Sequence, residues 1–312
     1  MRKSEFYIAS KDGKNKLHCV LWEPVGAVKA VLQLSHGMVE YIDRYDRFAE
    51  FLNEAGIAVV GNDHLGHGKT AATEEDLGYF CEEEPSKTVV EDLYQVTCKM
   101  KEKYKGIPYF MMGHSMGSFL IRRYIMTYGD KVDGVVISAT GSLPYTTILA
   151  GKCLIRFLST WKGERHRSAF FDYLCFGNYN KKIKNARTSK DWLSKDEKMV
   201  DAYLKHPYCT FTFTMNGFWT LFSTIGFIQK QKNVKKIPKE LPVLFVAGDA
   251  DPVGNYGKNV KKVYEKYKRE GIKDISLILY PDARHELTNE VEYLKVYQDI
   301  LSWIVERLHN IN

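Results

Sequence analysis

Ile107-Pro108-Tyr109-Phe110-Met111-Met112-Gly113-His114-Ser115-Met116-Gly117-Ser118-Phe119-Leu120 decides how the chain folds. Its first half is an apolar run of strand length, and its second half has the composition of a helix start. Between them stands Gly-x-Ser-x-Gly, the pattern of a nucleophile elbow. In such a turn the serine is held in a strained backbone conformation at the end of a strand. Small residues two positions to either side let strand and helix approach each other. Ser115 would then stand exposed above the sheet. Unpaired N–H groups of the following helical turn would face any negative charge developing beside it.

Working outward, the flanking segments alternate between strand and helix. Residues 5–9 and 17–23 alternate in polarity around Lys11-Asp12-Gly13-Lys14-Asn15, a hairpin with Asp-Gly turn chemistry. Buried strands are predicted at Ala30–Leu34, Ile57–Val60, Gly134–Ser138, Pro242–Ala247 and Ile275–Tyr280 from their short apolar runs. Helices are predicted over about 43–54, 88–103 and 255–269. A last one, over 290–308, places Leu294, Tyr297, Leu301, Ile304 and Leu308 on one face. This order describes an α/β protein with a mostly parallel, doubly wound sheet, antiparallel at its start, with helices on both faces.

Residues 142–236 interrupt the alternation and are expected to form a helical cap inserted into a core domain of residues 1–141 and 237–312. The insertion holds 17 Lys and Arg against 6 Asp and Glu, although the whole chain is only +7. Such a surplus suits a solvated face or attraction to an anionic membrane surface. No nucleic-acid-binding module is visible, so nucleic acid is not an expected partner. From His206 to Gln229 there is no charged residue apart from histidine. The threonines and glycines of that run argue against a membrane span. The core of a helical subdomain or a lid lining an acyl channel are the alternatives.

The N-terminal residues lack the apolar segment of a secretory signal, and the six cysteines are scattered without a C-x-x-C pair. Both suggest reduced thiols and a cytoplasmic setting. No metal-ligand spacing is present, and no metal or organic cofactor is expected.

A serine nucleophile needs a base to take its proton and an acid to orient that base. On this fold the three follow in the order Ser, Asp or Glu, His, each after a strand. Ser115, Asp251 in Gly248-Asp249-Ala250-Asp251-Pro252, and His285 in Pro281-Asp282-Ala283-Arg284-His285 satisfy that order. Asp249 competes for the acid role, and Asp251 is preferred because it lies further past the strand end. His114 is expected to point away from the serine hydroxyl, and His36 to shape its own loop. In His36-Gly37-Met38 the glycine permits a tight turn that presents the Met38 N–H. With the Met116 N–H this would complete an oxyanion site.

These motifs resemble the serine hydrolases of the α/β-hydrolase superfamily, in the monoacylglycerol lipase and lysophospholipase-like branch also grouped with the serine aminopeptidases. The resemblance is carried by His36-Gly37-Met38-Val39-Glu40 with Asp43-Arg44-Tyr45, by Asp63-His64-Leu65-Gly66-His67-Gly68, by Gly113–Gly117, and by Gly248 to Asp251 with His285. It implies Ser115, Asp251 and His285 as catalytic residues and Met38 and Met116 as oxyanion donors. Glu40, Arg44, Asp63 and His67 would hold the oxyanion loop through buried polar pairing. Tyr41 stands where a histidine is common in that branch, and the insertion is long and basic. The expected activity is hydrolysis of single-chain lipid esters. An aminopeptidase or amidase with the same three residues, and a non-enzymatic ligand-binding protein, are the alternatives.

Overall fold

A computed structural model describes the backbone of residues 1–311 and the side chains through His309. Eight strands form one sheet in the order β1-β2-β4-β3-β5-β6-β7-β8. They are β1 (Arg2–Ala9), β2 (Lys16–Glu23), β3 (Ala30–Ser35), β4 (Ile57–Asn62), β5 (Tyr109–His114), β6 (Gly134–Ser138), β7 (Val243–Gly248) and β8 (Ile275–Tyr280). β2 pairs antiparallel with both β1 and β4, and every pairing from β4 to β8 is parallel. This is the α/β-hydrolase fold.

Alternation along each strand sorts the core onto two faces. In β5, Tyr109 and Met111 join one cluster while Phe110 and Met112 join the other; in β3, Val31 opposes Leu32 and Leu34 in the same way. One face is covered by α1 (Asp46–Glu54) and α10 (Tyr293–Ile311). The other is covered by α2 (Pro85–Lys103), α3 (Met116–Tyr128), α7 (Met215–Ile228) and α9 (Lys258–Arg269). Between β6 and β7 the chain also forms α4 (Tyr145–Lys162), α5 (Ala169–Phe176), α6 (Glu197–Lys205) and the short α8 (Gln231–Val234). No helix among the described residues is long and apolar enough to cross a membrane.

Three elements differ from the sequence reading. α2 begins at Pro85, whose fixed φ and missing N–H suit the first helical position. α9 starts late because Asn255, Tyr256 and Gly257 all take positive φ, which no right-handed helix accommodates. On α10 the buried face is Val296, Tyr297, Ile300, Trp303 and Ile304, whereas Leu294 is exposed. The charge-free run also resolves: α7 buries Phe218, Leu221, Phe222, Ile225 and Ile228 in the same core as α2 and α3. Its threonines cap or back-bond. Thr214 accepts the Gly217 N–H, and the Thr220 and Thr224 hydroxyls donate to carbonyls four residues earlier.

Candidate active site

The turn from β5 into α3 places Ser115 at φ 52° and ψ −118°. A β-carbon on Gly117 would lie 1.9 Å from the Ser35 carbonyl oxygen, and one on Gly113 would lie 2.3 Å from the Gly117 carbonyl oxygen. Only glycine fits at these two positions, so the strain at Ser115 is fixed by backbone packing. The Ser115 N–H donates to Ser138 O at 3.1 Å, and its carbonyl accepts the Ser118 hydroxyl at 2.6 Å. Among the described residues its own hydroxyl caps no helix and has no hydrogen-bond partner, and the residue is half-buried.

The loop after β7 buries Asp251 completely. One carboxylate oxygen accepts the Val253 N–H at 2.9 Å, and the other accepts from His285 Nδ1 at 3.0 Å. Asp249, exposed, turns away and accepts the Asp282 N–H at 2.7 Å. The network assigns His285 a proton on Nδ1 and leaves Nε2 without a partner among the described residues. Burial acts to lower the imidazole pKa, but the charge and hydrogen bond of Asp251, with Glu286 and Glu40 further off, raise it overall. The ring packs on His114 at 4.7 Å between centroids, which sets it beside the elbow. Ser115 and His285 are not directly hydrogen-bonded here. Such contacts are often long before substrate binds.

The Met38 and Met116 N–H groups have no acceptor among the described residues, as oxyanion donors require. Their loop is held from behind. The Glu40 carboxylate accepts the Gly37 N–H and the Tyr45 hydroxyl and pairs with Arg44 at 2.8 Å. Arg44 in turn forms a two-pronged pair with Glu286, both bonds at 2.7 Å. That guanidinium outweighs the effect of burial and holds the Glu286 carboxyl down at about 2. Asp63 accepts the Ile42 and Lys69 N–H groups and pairs with His18. His36 donates from Nδ1 to Gly37 O and accepts the His64 N–H on Nε2. His67 sits among Phe80, Phe211 and Phe213, with its ring Nδ1 donating to Leu65 O.

Four participants had no signal in the sequence. Glu286 follows His285 directly but shows its purpose only when Arg44 meets it from 242 residues away. His114 packs against the His285 ring, where burial and the adjacent imidazole push its pKa down to about 4. The Trp192 ring packs at a tilt against His285 at 5.0 Å between centroids, and its carbonyl accepts the His285 backbone N–H. Arg284 donates to the carbonyls of Asp191 and Ser194, completing the seam between the inserted segment and the histidine loop. Tyr41 stacks on His206 of the insertion at 4.3 Å.

A strained serine on an elbow, an imidazole oriented by a buried carboxylate, and two free N–H groups on this sheet define a serine hydrolase of the α/β-hydrolase superfamily. Residues 26–292 match the serine aminopeptidase S33 family, and the chain belongs to it. Human monoglyceride lipase is 24% identical over 96% of this chain and 90% of its own length. The monoacylglycerol lipase of Mycolicibacterium smegmatis is 25% identical over 98% of both chains. A thermostable carboxyl esterase from Bacillus coagulans, solved with glycerol, superposes with a TM-score of 0.91 at 27% identity over 99% of both chains.

Proposed function

We propose that the protein hydrolyses esters of single-chain lipids, monoacylglycerols or lysophospholipids, through an acyl-enzyme on Ser115. The observation that carries the chemistry is the His285–Asp251 pair beside the strained, uncommitted Ser115 hydroxyl. The hydroxyl attacks the ester carbonyl as His285 Nε2 takes its proton. Asp251 keeps the imidazole in the right tautomer and stabilises its charged form. The Met38 and Met116 N–H groups receive the oxyanion, each worth roughly 3–4 kcal/mol in such sites. Collapse breaks the C–O bond, and the leaving alcohol takes the proton from His285. Water, activated by the same imidazole, then releases the acid.

An ester is favoured over an aminoacyl substrate because the carboxylates near His285 are already committed. Asp251 serves the imidazole, and Glu40 and Glu286 serve Arg44. Of the six carboxylates in the insertion, four, Asp191, Asp196, Glu197 and Asp201, bind groups of their own segment. The acyl preference is supported by the relatives, among which are monoglyceride and monoacylglycerol lipases.

We also read residues 142–236 as a cap that meets an anionic membrane. On α4 and α5, Phe157, Trp161, Phe170, Tyr173 and Leu174 are exposed within the most basic part of the chain.

The test is a panel of monoacylglycerol, lysophospholipid, short aryl ester and aminoacyl substrates, run with native protein and Ser115→Ala. Turnover of the lipid esters is expected, with kcat falling by about 10⁶-fold in the variant. Turnover of the aminoacyl substrate alone would overturn the ester assignment. Activity that survives the substitution would overturn the mechanism.

A further inference from the structure

A recess lies at the junction of α4, α7, α3 and the start of α2, with a volume of about 480 Å³, the size of a small-ligand site. Neither Ser115, His285, Met38 nor Met116 lines it. Four basic side chains do: Arg123, Lys152, Arg156 and Lys230, and no Asp or Glu does. None of the four forms an ion pair among the described residues. Glu84 and Glu91, the carboxylates whose field reaches Arg123, are paired with Lys87 instead.

Two of the cations are held in place by the walls. Arg123 donates to the Ser86 hydroxyl at 2.8 Å and lies 4.3 Å from the Phe227 ring centre. The Lys152 ammonium sits 4.0 Å over Trp219. Ser223 of α7 also lines the recess, with its hydroxyl turned out of reach of solvent. Ile148 and Leu149 of α4 add an apolar side. Uncompensated cations and an aromatic and aliphatic wall in one concavity ask for a ligand with an anionic end and an apolar end. A phosphate suits the anionic end, because it carries a charge of about −1.5 to −2 and several acceptor oxygens, and guanidinium groups bind it in two-pronged fashion.

We propose that this recess is a binding site, separate from the reacting serine, for a single lipid molecule bearing a phosphate headgroup on one acyl chain. Phosphate oxygens reach Arg123, Lys152 and Lys230, and the chain lies along Trp219, Phe227 and Leu149. The bound molecule joins α4 to α3, the helix that begins at Met116 beside Ser115. The assignment does not rest on ester chemistry at Ser115.

Calorimetric titration tests it, with Ser115→Ala protein so that no probe is turned over. The probes are lauroyl lysophosphatidate below its micelle concentration, monolauroylglycerol, inorganic phosphate, and phosphatidate-containing vesicles. Lysophosphatidate is expected to bind saturably and at least tenfold more tightly than either monolauroylglycerol or phosphate. Arg123→Gln/Lys152→Gln should weaken it tenfold or more. Lys152→Gln/Lys230→Gln, which leaves the Ser86 and Phe227 contacts of Arg123 intact, should do the same. In protein that retains Ser115, both pairs should leave hydrolysis of a soluble aryl ester unchanged. Equal affinity for phosphate alone or for the uncharged lipid would overturn the assignment. So would full affinity in both pairs of variants, or binding confined to vesicles.

Discussion

Asp251 divides its two oxygens between the Val253 N–H and His285 Nδ1, and this division sets the pH behaviour expected of the site. His285 must be neutral to accept the serine proton. Because its pKa is raised, kcat/KM should fall as pH drops through a midpoint above the ordinary histidine value of about 6.5. Asp251→Asn removes the charge that raises it and leaves burial, which lowers it. The acidic limb should then move to lower pH while kcat falls about 10⁴-fold. A pH–rate profile of the variant on a soluble aryl ester checks both, and an unmoved limb would mean that Asp251 does not govern the base. At this scale much was readable in advance, because catalytic residue types in a fixed chain order leave a trace in the sequence. The choice between Asp249 and Asp251 was harder. Both follow β7, and only the path of the loop sends one to His285 and the other to the Asp282 N–H.

Arg44 works between elements: it ties the loop after β3, through Glu40, to the loop after β8, through Glu286. Removing one member of a buried ionic group leaves the rest uncompensated, so Arg44→Met should cost about 3–5 kcal/mol at neutral pH. The sign with pH follows from Glu286. Its folded pKa of about 2 lies below the ordinary glutamate value of about 4.3. Its contribution is therefore complete above the ordinary value and is lost as pH falls towards 2. Urea titrations of native and variant protein should show a gap that is wide at pH 7 and narrows on acidification; a constant gap would refute the pairing argument. The positions on either side of this network were legible as a motif, but the Glu286 arm was not, since no local pattern relates residues 44 and 286. α7 teaches the same at the level of a helix. Its uncharged stretch left both a core and a lid open, and only the assembled chain shows it packed against α2 and α3.

For the whole molecule, the uneven charge and the exposed aromatic side chains of α4 and α5 meet on the inserted segment. If this face docks on lipid, Phe157→Ser/Trp161→Ser should weaken partition onto anionic vesicles by about 2 kcal/mol, roughly 30-fold. Turnover of a water-soluble ester should stay unchanged. Both side chains are largely exposed, so folding should tolerate the change, and undiminished vesicle binding would retire the membrane role. What the sequence by itself determined was the order of strands and helices, the elbow, and the chain order of a serine, an aspartate pair and a histidine after successive strands. These depend on periodicity, on glycine where a β-carbon would collide with backbone, and on chain order. Tertiary structure alone decided that Trp192 and His114 pack against the His285 ring, that Glu286 answers Arg44, and that four cations face one recess without a carboxylate. Such pairings join residues far apart in the chain. They are selected by the shape and charge balance of the assembled core, which no local pattern encodes.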